Sequence, residues 1–507
     1  MTRFFSHLAF AVVLGASIQP ALADKANDTL NIGWGGDGVM SSADAYHANT
    51  RTGIWFSQMV WDTLLYRDSD TGNYEGLLAT DWHWVDDTTL ELALRTDVKF
   101  TNGETFSADD VVGTFDSVLD PKSGAQPRTL FDWMASVEKV DDYTVRIHTQ
   151  KPFPMALEYL ATVLPIYPSD YYAKVGAEGM SSHPVGTGPY MVEEIKVGQE
   201  YKLVRNPDYT WGSPKGEAQI GHVDIRALPD MQTQLAELMS GGIDLTPDMS
   251  PDAVEKLEPL PNVEAALAET LRIYTIGFDV ANPKTLDAVK DIRVRQAINY
   301  AIDRESIVDH LMNGAARVIY TPCHPAQFGC DAEAAKTYPF DPEKARTLLK
   351  EAGYGDGLNL TMYAEAPARE AEAIMADLKK VGIDVTLHRV PYEAYRKAQI
   401  SGQAPAFLFN WGSYSLADAN ASVSFFFDGG GDDFTGDDKV IQWIKTADTS
   451  TDPETRKTNY AKAIARITEQ AYWAPLYSGL RGYAWSPELE FKPHPDESLP
   501  VFDYRWK

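Results

Sequence analysis

The sequence has little positive charge for its length. Its 507 residues include 45 lysines and arginines against 73 aspartates and glutamates, which gives a formal net charge of −28 at pH 7. Proteins that bind nucleic acids or anionic membrane surfaces use basic patches, so this charge balance argues against both partners. We expect instead an acidic, solvated surface of the kind that keeps an exported protein in solution.

Cysteine is nearly absent, since only Cys323 and Cys330 occur. Both lie in a segment that also contains Pro325 and Gly329. In an oxidising compartment we expect them to form a small disulfide loop, whose short length predicts a modest effect on global stability. The alternative is a catalytic or metal-binding pair, for which His324 is the one further ligand in the neighbourhood.

Long hydrophobic runs are also absent beyond the N-terminus, where residues 8–18 are mostly apolar and follow Arg3. The small residues Ala21 and Ala23 then form a cleavage site. This pattern predicts a secretory signal peptide over residues 1–23 that is cleaved after Ala23. The apolar run is too short to span a bilayer, and no cysteine follows the site to carry a lipid anchor. We therefore expect an exported chain that does not insert into the membrane.

Catalytic and cofactor motifs are missing or incomplete. Neither H-E-x-x-H nor G-x-S-x-G occurs, and no local context singles out a pair of carboxylates for glycoside hydrolysis. Residues 33–38 match G-x-G-x-x-G after a strand, but no amphipathic helix follows, which favours a glycine-rich turn over a dinucleotide site. The acidic, glycine-rich residues 428–438 lack EF-hand spacing, which favours a surface loop over a calcium site. No cofactor and no metal are therefore expected.

Periodic apolar residues predict an α/β chain. A capping box at residues 107–110 begins a helix, and residues 192–204 alternate like one long strand. In the second half, residues 358–411 predict strand, helix, strand, helix and strand in turn, which requires a parallel sheet with right-handed crossovers. Pro342 and Pro453 each follow an aspartate and predict the first turns of two further helices.

The strand at residues 407–411 stops abruptly in a loop of hydrogen-bonding residues, 412–420. In open α/β sheets, ligands bind where loops leave the carboxyl ends of the strands. The loop therefore predicts one side of a binding cleft. The residues expected to contact a ligand there are Trp411, Ser413, Tyr414, Ser415 and Asp418.

Each of these residues suits a different kind of contact. Trp411 would supply an apolar wall, while Tyr414 and the two serines beside it would exchange hydrogen bonds with the ligand. Asp418 would meet a cationic or hydroxyl group. The alternatives are that Trp411 only packs against the edge of the sheet and that Asp418 only caps the next helix.

Five sequence blocks resemble the family-5 extracellular solute-binding proteins, the peptide-binding class that serves bacterial ABC importers. They occur in the family's order and span nearly the whole chain after the signal peptide. The blocks are KFTNGETFSADDVVGTF (99–115), PVGTGPY (184–190), QLAELMSGGIDL (234–245), IRVRQAINYAIDRE (292–305) and FDPEKARTLLKEAGY (340–354).

The resemblance implies the periplasmic-binding-protein fold of type II, cluster C: two α/β lobes joined by a hinge, with an extra inserted domain. It also implies a monomeric periplasmic receptor without catalytic activity, which delivers its ligand to a membrane permease powered by a cytoplasmic ATPase. The expected divisions after the signal peptide are domain I at 24–68, 190–285 and 488–507, domain II at 69–189, and domain III at 286–487.

The sequence departs from the family pattern at two ligand positions. Peptide-binding members carry an aspartate three residues after the tryptophan, where this chain has Tyr414. Some dipeptide binders carry an Arg-Pro-Tyr segment where residues 363–367 lack the arginine. Burying an unpaired charged terminus is costly, so strict dipeptide specificity is not expected. The ligand could be a longer or modified peptide, or a neutral polar solute such as an opine or sugar conjugate. Two other functions stay open: an exported hydrolase acting on peptides or glycans, and a chaperone-like receptor.

Overall fold

The computed structural model describes residues 27–35, 40–47, 50–68, 71–365 and 370–507. The predicted signal peptide and its predicted cleavage site after Ala23 lie outside the described residues, as do residues 36–38 of the glycine motif. Within the described part of the chain, no helix combines the length and the apolar character needed to cross a bilayer.

The strands form one large sheet, a smaller four-stranded sheet and two short pairs, β2-β3 and β17-β18. In chain order the strands are β1 (Thr29–Trp34), β2 (Leu65–Arg67), β3 (Tyr74–Gly76), β4 (Ala79–Asp86), β5 (Thr89–Leu94), β6 (Met134–Asp141), β7 (Thr144–Thr149), β8 (Tyr190–Lys196), β9 (Glu200–Arg205), β10 (His222–Ala227), β11 (Leu245–Met249), β12 (Glu264–Phe278), β13 (Leu358–Glu365), β14 (Ile383–Val390), β15 (Ala406–Trp411), β16 (Trp473–Trp485), β17 (Leu489–Glu490) and β18 (Arg505–Trp506).

The helices pack on the sheets, and most begin at a side chain that accepts a backbone N–H. They are α1 (Arg51–Val60), α2 (Ala108–Leu119), α3 (Ala156–Thr162), α4 (Ser169–Ser182), α5 (Met231–Ser240), α6 (Pro251–Leu257), α7 (Asp287–Lys290), α8 (Ile292–Ala301), α9 (Arg304–Leu311), α10 (Pro342–Glu351), α11 (Ala371–Lys380), α12 (Tyr392–Ile400), α13 (Val423–Phe427), α14 (Asp438–Asp448) and α15 (Pro453–Glu469).

The large sheet has ten strands in the order β14-β13-β15-β12-β16-β11-β1-β10-β9-β8. The predicted strand–helix alternation at residues 358–411 is confirmed, because β13 pairs in parallel with both β14 and β15. At the other end of the sheet, β1 and β10 are parallel, while β10, β9 and β8 are antiparallel. A separate four-stranded sheet, β4-β5-β7-β6, lies within the span predicted for domain II; the domain limits themselves stay a prediction.

Local signals in the sequence account for several element ends. The predicted capping box is confirmed, since the Ser107 and Asp110 side chains both bond backbone at the start of α2. The single long strand expected at residues 192–204 is wrong. The chain instead turns at Gly198, which adopts φ 77°, and forms the hairpin β8–β9. An alternating pattern cannot distinguish one long strand from two, because a tight turn interrupts it for only a few residues.

Two long strands, β12 and β16, connect two separate cores. The first core is the cluster of buried residues around β1, α1, the four-stranded sheet and the C-terminal segment. It includes Ile32 and Phe502. The second core packs α8 to α11 on β13 and β15, and includes Leu360. Tyr483 near the end of β16 belongs to the first core, whereas Tyr477 belongs to the second.

The pairing of β12 with β16 is interrupted midway between these cores. Glu269 pairs with Leu480 and Ile273 pairs with Ser478, so residues 270–272 stand opposite Gly479 alone. A bulge of this kind bends a strand and removes ladder hydrogen bonds locally. The bulge therefore interrupts the β12–β16 pairing between the two cores.

Candidate functional site

A cavity of about 370 Å³ opens at the carboxyl end of β15. It lies beside the bulge of β12, because Trp411 at the end of β15 is in register with Ile273. Its volume falls within the roughly 300–1,000 Å³ typical of small-molecule sites. The described residues that line it are Arg51, Ile54, Arg272, Glu365, Tyr392, Tyr395, Arg396, Gln399, Phe409, Asn410, Trp411, Gly412, Ser413, Tyr414, Ser415, Phe425, Phe426, Asp432 and Glu497.

One wall of the cavity is aromatic and is built around Trp411. Its ring stacks on Phe425, with the ring centroids 4.6 Å apart, and meets Tyr414 and Phe426 edge to face. The indole Nε1–H donates a hydrogen bond to the carbonyl of Ala421 at 2.7 Å. Because its polar atom is satisfied within the protein, Trp411 presents only apolar surface to the cavity while it also packs at the edge of the sheet.

The turn after β15 has an unusual backbone. Ser413, Tyr414 and Ser415 have φ values of 54°, 51° and 63°, so three consecutive residues with side chains lie in the left-handed region. Left-handed helical backbone costs L-residues roughly 1–2 kcal/mol each. Burial raises the pKa of Tyr414, so its hydroxyl stays protonated at neutral pH and can donate or accept hydrogen bonds.

Groups from the half of the molecule that holds the first core fasten this turn. Arg67 donates to the carbonyl of Ser415 at 3.4 Å, and Oε1 of Glu158 accepts the backbone N–H of Ala417 at 2.9 Å. Arg67 and Glu158 also form a buried ion pair at 3.2 Å. The hydroxyl of Ser415 donates to the carbonyl of Asp496 at 2.6 Å. These contacts offset part of the cost of the left-handed turn.

The floor of the cavity is a network of arginines and carboxylates. Glu497 accepts from Arg272 at 3.0 Å and from Arg481 at 2.7 Å, and it lies 3.5 Å from Arg51. Arg51 also pairs with Asp248 at 2.9 Å. Burial by itself would raise the pKa of Glu497, but the neighbouring arginines hold that pKa below its usual range. The floor is therefore charged and buried at neutral pH.

The opposite rim combines charged and hydrogen-bonding groups from α12 and the acidic loop 428–438. Arg396 forms an ion pair with Asp432 and also donates to Gln399. Asp433 accepts backbone N–H groups of its own loop, including that of Thr435 at 2.7 Å. The acidic loop is thus held by its own hydrogen bonds. It also contributes Asp432 to the cavity, which we did not expect from its description as a surface loop.

Four of the five predicted contact residues lie together in the cavity wall: Trp411, Ser413, Tyr414 and Ser415. Asp418 requires a correction, because it is not among the described residues that line the cavity. Its carboxylate is buried against Arg456 at 2.9 Å and accepts the backbone N–H of Asn420 at 2.9 Å. It therefore caps the following 3₁₀ turn and pairs with an internal cation, so we leave it out of the binding site.

The predicted disulfide between Cys323 and Cys330 is present. Sequence reasoning missed several other cavity residues, notably Arg51, Arg272 and Glu497. No local pattern could have identified them, because Arg272 and Glu497 lie 225 residues apart and meet only in the folded chain. A weak signal existed for Glu365, which ends β13 at the carboxyl edge beside β15.

Comparison with known proteins places this architecture in a family. Residues 73–434 match the sequence profile described as bacterial extracellular solute-binding proteins, family 5 middle. The heme-binding protein A of Haemophilus influenzae is 30% identical over 479 residues, which cover 85% of each chain. The dipeptide-binding protein of Pseudomonas aeruginosa is 27% identical over 459 residues, which cover 81% of this chain and 84% of that protein.

A solved structure agrees with the fold over nearly the whole chain. HbpA2 from Haemophilus parasuis superposes with a TM-score of 0.82 at 24% identity, covering 94% of this chain and all of that one. This likeness agrees with the matched profile and with the relative at 30% identity, and it supports a fold of two α/β lobes with a cavity between them. The chain therefore belongs to the family-5 bacterial extracellular solute-binding proteins.

Proposed function

We propose that this chain is the periplasmic receptor of an ABC importer and that it captures a peptide, or a small polar solute resembling one, in the cavity beside Trp411. The observation that carries the proposal is that both halves of the molecule contribute residues to the cavity walls. Arg51 and Glu497 come from the half of the molecule that holds the first core, whereas Tyr392 and Trp411 come from the other half. A ligand in this cavity contacts both halves.

A ligand that contacts both halves favours the closed arrangement. Closure gains the contacts of the second half, so ligand binding shifts the population toward the closed form. The bulge at residues 270–272, beside the cavity, would serve as the hinge. The domain divisions expected from the sequence fit this proposal, because Phe502 of the C-terminal segment packs in the first core.

The chemistry of the cavity supports an amphipathic ligand. The aromatic wall at Trp411, Tyr414 and Phe425 suits an apolar group, and the charged floor and rim suit polar or charged ends. Tyr414 stands where peptide-binding members carry an aspartate, so we do not expect the ammonium group of a dipeptide to be anchored there. A longer or modified peptide fits better, and the name of the relative from Haemophilus influenzae adds heme as a compound worth testing.

The remaining parts of the proposal concern location and partners. We infer that the protein acts in the periplasm as a monomer and passes its ligand, chemically unchanged, to a membrane permease with a cytoplasmic ATPase. The relatives named above are binding proteins, which supports a receptor and gives no support to an exported hydrolase.

A thermal-shift screen tests the proposal. The panel contains the dipeptide Met-Leu, the tripeptide Ala-Ala-Phe, glutathione, an opine, hemin and nickel–histidine. A compound at 100 times its Kd adds about 2.7 kcal/mol of stability, which is a measurable rise in Tm. We expect at least one organic member to raise Tm further at each higher concentration and to be recovered intact by mass spectrometry. Recovery of cleaved peptide would instead support the hydrolase.

A further inference from the structure

The disulfide loop bonds the segment that directly follows the turn at Ser413–Ser415, which we call the ligand turn. Within the ring closed by Cys323 and Cys330, the side chain of Gln327 donates to the carbonyl of Leu416 at 2.9 Å. The backbone of Phe328 both donates to the carbonyl of Ala417 at 2.9 Å and accepts the N–H of Ala419 at 2.8 Å. These bonds begin at the residue that follows Ser415, the last left-handed position.

The ring is itself organised to present these two residues. The backbone N–H of His324 donates to Oε1 of Gln327 at 2.9 Å, which orients the amide so that its nitrogen faces Leu416. The N–H of Cys330 donates to the carbonyl of Gln327 at 3.1 Å. Gly329 adopts φ 77° and packs so closely on Tyr460 that a Cβ atom would lie 2.7 Å from its ring. The disulfide closes this small, internally bonded unit.

Leu416, directly after the ligand turn, packs in the first core, but other residues of the same segment pack with the ring. Cys323 and Cys330 pack in one cluster with Ala419 and Val423, which follow the turn in the chain. By contrast, the bonds from Arg67, Glu158 and Asp496 to the turn come from the half that holds the first core. Separation of the two halves would break those bonds and would leave the bonds from the ring in place.

The ring also contacts the strand next to the bulge. Nε2 of His324 lies 3.1 Å from Oε1 of Glu269, the last residue of β12 before its register is interrupted. Arg317 pairs with the same carboxylate at 3.0 Å. One disulfide-closed loop thus bonds both the segment after the ligand turn and the edge of the proposed hinge.

We propose that the Cys323–Cys330 ring is a brace that keeps the turn at Ser413–Ser415 in its left-handed, ligand-contacting shape while the two halves are apart. Gln327 and the backbone of Phe328 are its positioning groups. The consequence for ligand affinity rests on the proposed function, whereas the bracing of the turn does not. Loss of the disulfide loosens residues 412–422 and leaves the remainder of the same half unchanged.

Hydrogen exchange on the ligand-free full chain tests the brace. The C323S/C330S double variant opens the ring with little change of volume, and Q327A removes one positioning group while the disulfide stays intact. In both variants we expect amides in residues 412–422 to exchange at least about tenfold faster, because protection there depends on local opening. Helix α11, in the same half, should exchange at the wild-type rate. The exposed Gln219, whose amide bonds the carbonyl of Glu217, provides the control Q219A with no change at 412–422.

Two outcomes overturn the proposal. Wild-type exchange at residues 412–422 in both variants means that the turn needs no brace. A uniform rise in exchange that includes α11 means that the disulfide is a general stabiliser. Ligand affinity is measured separately. Compounds from the panel that raise the Tm of the wild type should bind the double variant at least about tenfold more weakly. If no panel compound binds the wild type, the proposed function fails, and the exchange data still decide the brace.

Discussion

Glu158 and Ala417 are 259 residues apart in the chain, yet the Glu158 carboxylate accepts the Ala417 backbone N–H at 2.9 Å. The second oxygen of the same carboxylate accepts from the Tyr74 hydroxyl at 2.8 Å, and Arg67 pairs with the first. The side chain of Glu158 is only 2% exposed. One buried carboxylate therefore fixes the segment behind the ligand turn to the opposite half of the molecule.

Replacing Glu158 by glutamine is expected to destabilise the protein. Glutamine has nearly the same shape but leaves the buried guanidinium of Arg67 without part of its charge partner, and breaking such a pair costs roughly 3 kcal/mol. The midpoint of urea unfolding measures the loss. The matched control is E454Q, because Glu454 is 79% exposed and pairs with Lys457 at the surface, a contact worth about 0.5 kcal/mol or less. Equal midpoints for the two variants would contradict the role of Glu158.

Replacing Tyr414 by alanine is expected to weaken ligand binding without unfolding the protein. The ring forms part of the aromatic wall and meets Trp411 at 5.1 Å between centroids. We expect the Kd of the best panel compound to rise at least about tenfold, equivalent to about 1.4 kcal/mol. Isothermal titration calorimetry gives the Kd. The control is Y354A, because Tyr354 follows α10 and is not among the described residues of the cavity. Unchanged affinity in Y414A would remove this residue from the site.

Replacing Asp418 by asparagine should lower stability and leave ligand affinity nearly unchanged, which is the reverse of what we expect for Y414A. The carboxylate is buried against Arg456 and bonds the start of the next 3₁₀ turn, so its neutralisation leaves an uncompensated internal cation. We expect a loss of roughly 3 kcal/mol in the free energy of unfolding. The Kd of a panel compound, measured well below the lowered Tm, should change less than in Y414A. A variant of wild-type stability with a large loss of affinity would return Asp418 to the binding site.

The ion pair of Glu269 predicts a pH dependence. Hydrogen bonds with His324 and then Ser478, followed by the charges of His324 and Arg317, outweigh the effect of burial and lower the pKa of Glu269 from 4.5 to about 2. A lowered carboxyl pKa contributes stability above the unfolded-state value and loses it as the pH falls through the folded-state value. The stability difference between wild type and E269Q should therefore be largest above pH 4.5 and shrink toward pH 2, as followed by urea unfolding at several pH values. A constant difference across that range would contradict this assignment.

Gly479 stands opposite the bulge, and a side chain there should disturb the hinge. A Cβ atom at this position would lie 2.6 Å from the Cβ atom of Arg272. We expect G479A to cost roughly 1–3 kcal/mol of stability, as overpacking does. The change in radius of gyration on adding a panel compound, measured by small-angle X-ray scattering, should also differ from wild type. Wild-type stability together with wild-type closure would show that the tight contact has no consequence.

Much of the fold could be predicted because its signals are local. The strand–helix alternation expected at residues 358–411 is present, with its second and third strands at Ile383–Val390 and Ala406–Trp411. The same local signals identified the strand end at Trp411 and the polar turn after it, which do line the cavity. They failed at residues 192–204, where one alternating pattern contains two strands.

The charged half of the cavity could not be predicted, because its members come from distant parts of the chain. Arg51 lies on α1, Arg272 in the bulge of β12, and Glu497 in the C-terminal segment, and only tertiary folding brings them together. Asp418 is the reverse case, a residue that the sequence suggested for the site but that does not line the cavity among the described residues. Its place in a polar loop suggested a ligand contact, but whether a loop carboxylate faces a cavity or an internal arginine depends on packing.

Recovery of bound small molecules tests the central claim most directly. Wild-type protein and Y414A, expressed and purified in parallel in the organism of origin, are denatured, and the released compounds are identified and quantified by mass spectrometry. The account predicts one chemically intact peptide-like compound at close to one per wild-type chain and a much smaller amount from Y414A. Equal amounts from both proteins, or only the products of a cleaved compound, would contradict it.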